Sequence, residues 1–322
     1  MDVTRTVYGV TFPETRRIVD ALWAERPHQW YERNYTKRQD SMHEPCLARW
    51  RAWAGAAGVS LGEGFRHEYP TAGANEAIHA LLAHHATHGG KRIHVFAGEY
   101  EGYTYAATAF GLTLVVHARD DHRRSLLAEA GRGDQFWLSQ PSAIDGNLWD
   151  GFAEFRDWLA AALPGIGLVV DLTYVGAVPI ACTIELGAEP VSAVLWSLSK
   201  PFGVYYHRIG GLLSRTEVPS LHGHLWFKNL FSIHLGERLM ETHPARELPA
   251  RYQPVQARAL ERAQAAGLVP RAAMPSHAVM LAHAPAEPAF LEYARGPGLR
   301  FCLSPSIDRM VNHEEPPRAP NA

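Results

Sequence analysis

The sequence predicts an α/β layered fold built on a mostly parallel sheet, and three observations carry that expectation. Short apolar, strand-like runs alternate with helix-patterned stretches through residues 66–215, the alternation expected of a parallel sheet with helical crossovers. The runs are dense in Val, Leu and Ile, as strands buried on both faces are. Two of them end on chemically distinctive side chains, Asp171 and Lys200, and in open α/β sheets ligands gather at the carboxyl ends of strands.

Taken in order, residues 1–65 are helix-rich, with apolar residues at helical spacing over Pro13–Glu25 and Pro45–Ala57. They read as a segment contributing to a smaller domain and to a subunit interface. Residues 66–215 form the large domain. Strands are expected at Arg92–Ala97, Leu112–His117, Gln135–Ser139, Leu168–Asp171, Val194–Ser197 and Ile209–Leu213. Helices are expected at Ala74–His88, Tyr103–Phe110 and Trp149–Ala162. From about residue 216 the pattern shifts to a long helix, then a stretch over 246–266 rich in Arg, Glu and Ala, then short strand-like pieces. Residues 216–312 therefore read as a linking helix and a smaller C-terminal α+β domain. The proline-rich stretch 313–322 reads as a disordered tail.

Composition removes several function classes. The chain has 322 residues and a net charge of −2, without the basic runs of a nucleic-acid binder. No apolar stretch approaches the length of a membrane helix. The first residues lack a signal-peptide core, so a cytoplasmic location is expected. Cys46, Cys182 and Cys302 are scattered and odd in number, with no CxxC, and read as reduced packing residues. His84 and His88 share a helix face, but a third ligand is lacking, so no metal site is expected. No GxGxxG follows a strand, and neither GxSxG nor GxxxxGK[ST] occurs.

Lys200 is the most informative residue. Only four of the 31 basic residues are lysines, and Lys200 follows the apolar run 194–199. Arginine supplies solubility elsewhere in the chain. An amine at this place is explained by the one reaction arginine cannot perform, formation of a Schiff base. Asp171 ends another buried run, Tyr174 follows it by three residues, and Arg208 stands eight residues beyond Lys200. Lysine, strand-end aspartate, tyrosine and downstream arginine together are the components of a pyridoxal phosphate site.

The order and spacing of these motifs, over residues 35–305, resemble the fold-type I pyridoxal 5'-phosphate enzymes, in particular the class I/II aminotransferases. The stretch Ser197-Leu198-Ser199-Lys200, with Arg208, is similar to the family's Schiff-base signature. The resemblance implies that Lys200 holds the cofactor and shuttles the Cα proton. Ser197, Ser199 and Arg208 would contact the phosphate. Asp171 would pair with the pyridine nitrogen, and Tyr174 would bind the ring hydroxyl. Gly73-Ala74-Asn75, at a helix start, resembles the phosphate cup. Tyr100, with Tyr103 as alternate, resembles the aromatic that stacks on the ring. Arg300 resembles the arginine that grips the substrate α-carboxylate. Tyr35 matches in spacing the tyrosine that reaches the phosphate of the partner subunit.

The resemblance implies a homodimer and an aminotransferase that acts on an α-amino acid with a keto acid as second substrate. One departure bears on the reaction. Where the family carries Asn-Pro-x-Gly, the chain reads Ala143-Ile144-Asp145-Gly146, so alanine stands at the position of the ring-binding asparagine, with Ser142 or Asn147 as substitutes. That departure keeps open elimination or replacement, oxidation or cyclisation through the same quinonoid chemistry. A non-catalytic cofactor-binding module is a third expectation, disfavoured because residues 1–30 lack a basic helix-turn-helix pattern.

Overall fold

The computed structural model describes residues 2–25, 42–226 and 228–313. Tyr35 and most of the expected tail lie outside them. In chain order the main elements are α1 (Pro13–Ala24), α2 (Glu44–Ala57), β1 (Val59–Ser60), β2 (His67–Thr71), α3 (Ala74–Thr87) and β3 (Arg92–Phe96). Next come α4 (Glu101–Ala109), β4 (Thr113–His117), α5 (His122–Glu129), β5 (Gln135–Ser139), α6 (Phe152–Ala162) and β6 (Gly167–Asp171). Then follow β7 (Ile184–Glu185), β8 (Val191–Ser197), β9 (Gly210–Ser214), α7 (Leu230–Thr242) and α8 (Glu247–Ala265). The chain closes with β10 (Met274–Pro275), β11 (Leu281–Pro285), β12 (Ala294–Arg295), β13 (Gly298–Cys302) and α9 (Ser304–Asn312).

A seven-stranded sheet runs in the order β2-β9-β8-β6-β5-β3-β4. Pairings from β4 through β8 are parallel, and β9 alone runs against both of its neighbours. Its central strands are buried on both faces because helices cover both. On one side lie Ile78, Leu82, Tyr103 and Trp137; on the other lie Phe136, Phe155, Val170 and Trp196. This is the layered, mostly parallel architecture that the alternating pattern predicts.

A second, antiparallel sheet in the order β10-β11-β13-β12 uses the C-terminal strands. Gln256 of α8 ties its helix to that sheet by donating to the carbonyls of Ser276, Ala278 and Leu281. The N-terminal segment joins the same sheet where Thr4 exchanges backbone hydrogen bonds with Cys302 at 3.1 and 2.9 Å.

Besides the short parallel pair β1–β7, which is not expected from the sequence, three elements differ from expectation. β2 contains Pro70, which a central strand excludes but an edge strand accepts, and β2 is at the edge. The short helix α5 carries too many charged residues for its apolar pattern to show. The long helix expected from residue 216 divides into a 3₁₀ turn at Pro219–Leu225 and α7. Pro219 confines the first piece, and Asn229 starts the second by accepting from the Ser232 N–H at 3.1 Å. Among the described residues no helix is long and apolar enough to cross a membrane.

Candidate active site

The carboxyl ends of β5, β6 and β8 bring Ser139, Asp171 and Ser197 to one edge of the large sheet, where they line a cavity of about 500 Å³. Ten of the residues singled out from the sequence line that cavity: Ala74, Asn75, Tyr100, Asp171, Tyr174, Ser197, Ser199, Lys200, Arg208 and Arg300. They derive from both ends of the chain, so the site is a product of topology.

Lys200 follows β8 in the turn that leads toward β9. Its Nζ donates to the Val7 carbonyl at 2.5 Å, a contact with the N-terminal segment. Burial lowers the amine's pKa to about 8, because the charged form loses its hydration, while Asp171 acts to raise it. A neutral amine is thereby accessible near physiological pH.

Asp171 is buried at the end of β6. Its Oδ1 accepts from the Thr173 N–H and hydroxyl at 2.8 and 2.5 Å, and its Oδ2 accepts from the Tyr103 hydroxyl at 3.0 Å. Burial raises its pKa, and these donors, together with the Lys200 charge, oppose that rise. Every donor favours the carboxylate form. Tyr174 is buried beside the cavity, and burial pushes its hydroxyl up to about 12, so it stays a proton donor.

Gly73 precedes α3 with φ 77°, a left-handed conformation that suits glycine. A Cβ there would stand 2.8 Å from Arg208 Nη2 and, across from it, one on Gly210 would stand 2.6 Å from Gly73 Cα. Space for the guanidinium against the helix start thus depends on the missing side chains. Arg208 itself adopts φ 53° and donates to the carbonyls of Ala72 at 2.7 Å and Tyr205 at 3.3 Å. Beside it the Ser197 hydroxyl donates to the Ser199 hydroxyl at 2.9 Å. Helix N–H groups, two hydroxyls and an arginine make an anion cradle.

Tyr100 is partly exposed at the cavity, its hydroxyl 3.4 Å from Asn75 Oδ1. Tyr103 does not line the cavity; it lies buried and edge-on to Tyr100, with ring centres 5.6 Å apart. The alternate stacking role thus gives way to a supporting one on Asp171. Arg300 projects from β13 and is only 4% exposed, donating to the Ala143 carbonyl and, at 3.4 Å, to that of Arg5.

Ser142 is placed differently from its expected role. It is fully buried outside the cavity lining, where its hydroxyl accepts from Arg119 at 2.8 Å and from the Ile144 N–H at 3.1 Å. Asn147 likewise turns away, accepting from the His277 N–H at 2.9 Å. Ala143 alone of this loop lines the cavity.

Four contributors escaped the sequence reading. Glu99 is buried with its carboxylate on the Ser139 hydroxyl at 2.7 Å and N–H at 3.2 Å. Burial raises its pKa to about 7. Thr173 carried a signal, since an Asp-x-Thr turn after a strand lets the carboxylate cap its own loop. Glu101 and Arg295 pair at 3.0 Å across the cavity mouth; nothing local in the sequence relates residues so far apart.

No protein-family model matches the sequence, and no curated protein matches it. Solved structures do. A protein from Thermus thermophilus described as a probable N-succinyldiaminopimelate aminotransferase superposes with a TM-score of 0.69 at 20% identity, over 97% of this chain and 92% of that one. Histidinol-phosphate aminotransferase from Sinorhizobium meliloti, in complex with pyridoxal-5'-phosphate, gives 0.67 at 14% identity over 96% and 90%. The PLP-bound C-S lyase from Staphylococcus hominis gives 0.70 at 13% identity over 94% and 89%. With the sheet order and both sheets in place, the chain has the fold of the fold-type I pyridoxal phosphate-dependent transferases, the group to which the class I/II aminotransferases belong.

Proposed function

We propose that the protein is a pyridoxal phosphate-dependent enzyme, an aminotransferase acting on an α-amino acid. The observation that carries this reading is the convergence of Lys200, Asp171 and Arg208 on one cavity, from separate strand ends. The cradle at Gly73 and Arg208 fits a phosphate, because the guanidinium and the start of α3 meet where a Cβ would intrude. The buried, hydrogen-bonded Asp171 carboxylate fits a protonated ring nitrogen.

When bound, pyridoxal phosphate supplies an aldehyde that forms a Schiff base with amines and a ring that accepts electrons from Cα. The remaining roles belong to the chain. Arg208, Ser197, Ser199 and the N–H groups at Ala74 and Asn75 would hold the phosphate. Asp171 would keep the ring nitrogen charged, and Tyr174, protonated, would donate to the ring hydroxyl. Tyr100, which lines the cavity, would cover the ring. Arg300 would orient the substrate by its α-carboxylate. Lys200, whose amine titrates near 8, would take the proton from Cα and return it. A keto acid would complete the cycle, and the same resemblance that singles out Tyr35 supports a homodimer.

A second reading, elimination or replacement on the amino-acid side chain, draws on one observation: Ala143 lines the cavity where the aminotransferase pattern has asparagine. The experiment that decides is an absorption titration of the purified protein with a panel of amino acids, with Lys200→Ala beside it. Conversion of the cofactor's aldehyde band to that of its amine form, reversed by a keto acid, supports transamination. Release of ammonia and a keto acid without the amine form supports elimination. A protein that takes up no pyridoxal phosphate overturns both.

A further inference from the structure

Glu99 is a buried acid to which that reading gives no part. It stands just before Tyr100 and does not itself line the cavity. Both of its oxygens are engaged by Ser139: Oε1 accepts from the N–H at 3.2 Å, and Oε2 accepts from the hydroxyl at 2.7 Å. A serine hydroxyl has one proton to give. With that proton fixed on Glu99, the Ser139 oxygen has its lone pairs aimed elsewhere, and it accepts from the Ala143 N–H at 2.6 Å.

Ala143 in turn holds Arg300. Its carbonyl accepts from Arg300 Nη1, and the Arg5 carbonyl accepts from Nη2 at 3.4 Å. The Arg300 Nε is buried without a partner among the described residues. The pose of this guanidinium therefore depends on where one short loop aims a backbone carbonyl. The peptide plane that carries the Ala143 carbonyl also carries the Ile144 N–H, which donates to the Ser142 hydroxyl at 3.1 Å. The plane before it is held by Ser139. Alanine at 143 offers no polar side-chain atom, so backbone bonds alone orient the residue.

We propose that Glu99 is a positioning residue for substrate recognition: through Ser139 and Ala143 it sets the pose of Arg300, and with it the grip on a carboxylate. The inference rests on the reading of Arg300 as the α-carboxylate anchor. Glu99 acts without touching the substrate. Once the acid is removed, the Ser139 hydroxyl is free to turn, and the Ala143 N–H loses the lone pair aimed at it. The carbonyl beyond it then drifts, and a carboxylate meets a displaced guanidinium.

The test is calorimetric binding of valerate, a carboxylate without an amine, to the protein loaded with pyridoxal phosphate. The affinity for pyridoxal phosphate itself is measured beside it. Glu99→Ala is expected to weaken valerate at least ~5-fold, as a misplaced anchor does, while cofactor affinity stays within ~3-fold. A merely structural role would move both together. Ser139→Ala should reproduce the loss, and the double variant should lose no more than either single one, because the residues act in one chain. Unchanged valerate binding in Glu99→Ala, an equal loss of cofactor affinity, or fully additive losses overturns the inference. If Glu99→Ala does not fold, Ser139→Ala decides by the same comparison. An unmodified protein that takes up no cofactor overturns the enzyme reading, and a loaded one that binds no valerate overturns the Arg300 reading; the inference falls with either. Valerate binding that is indifferent to Glu99 counts against Glu99 alone.

Discussion

Tyr103 donates its hydroxyl to Asp171 Oδ2 at 3.0 Å, joining the first turn of α4 to the end of β6 inside the core. Asp171 is thereby held from behind by a residue outside the cavity. Tyr103→Phe removes one donor from a buried carboxylate, and the expected loss is about 1.5–3 kcal/mol of unfolding free energy. Denaturant titration reads it. An unchanged midpoint would show that the hydrogen bond contributes nothing net.

The amine of Lys200 sets a second expectation. Its pKa is lowered to about 8 by burial, so the protonated, non-nucleophilic form dominates below that pH. Capture of pyridoxal phosphate by the cofactor-free protein should accelerate about tenfold per pH unit up to about 8, then level off. Stopped-flow absorbance provides the profile. A rate still climbing toward the ordinary lysine range would contradict the effect of burial.

Glu99 predicts a pH-dependent stability. Burial raises its pKa from 4.5 to about 7, so the folded state binds a proton more tightly than the unfolded state. The stabilisation is fully present below about 4.5 and is lost as pH rises through about 7. The shift corresponds to roughly 3 kcal/mol. Glu99→Gln keeps an acceptor for Ser139 without the titration. The unmodified protein, compared with this variant, should lose about that much stability between buffer at about pH 4.5 or below and buffer above about pH 7. A parallel pH dependence in the two proteins would rule Glu99 out as the source.

Gly98 and Gly296 set how closely the β12–β13 turn approaches the loop that carries Tyr100 and Glu101. Gly98 has φ 89° and Gly296 has φ 55°. A Cβ on Gly296 would stand 2.4 Å from the Ala97 carbonyl oxygen, and one on Gly98 would stand 2.4 Å from the Gly296 nitrogen. Both obstacles are backbone, so neither can rotate away. Gly296→Ala should cost about 1–3 kcal/mol from the strained φ alone and separate Arg295 from Glu101. Thermal unfolding measures the first effect. A fully stable variant would mean that the turn can move as a unit.

Much of the fold was legible in the sequence because strand and helix patterns are local. The runs that became β3 to β6, β8 and β9 each hold a local apolar stretch, whatever they pair with. Pro70 hid β2, since a proline is compatible with a strand only once that strand is known to be an edge. The split of the helix after residue 216 was marked by Pro219 and Asn229, both visible but outweighed by the apolar spacing around them.

Within the site, the sequence by itself determined which chemical groups stand out: a rare lysine after a buried strand, an aspartate at a strand end, a glycine before a helix, and an arginine after the lysine. Tertiary structure decided which groups face the cavity and which support it. It turned Ser142 toward Arg119, set Tyr103 behind Asp171, brought the Val7 carbonyl to Lys200, and laid Arg295 against Glu101. The physical reason is the range of the interaction. Residue type and periodicity act within a few positions of the chain, whereas partners separated by 23 to nearly two hundred residues meet only through strand order and close packing of the core.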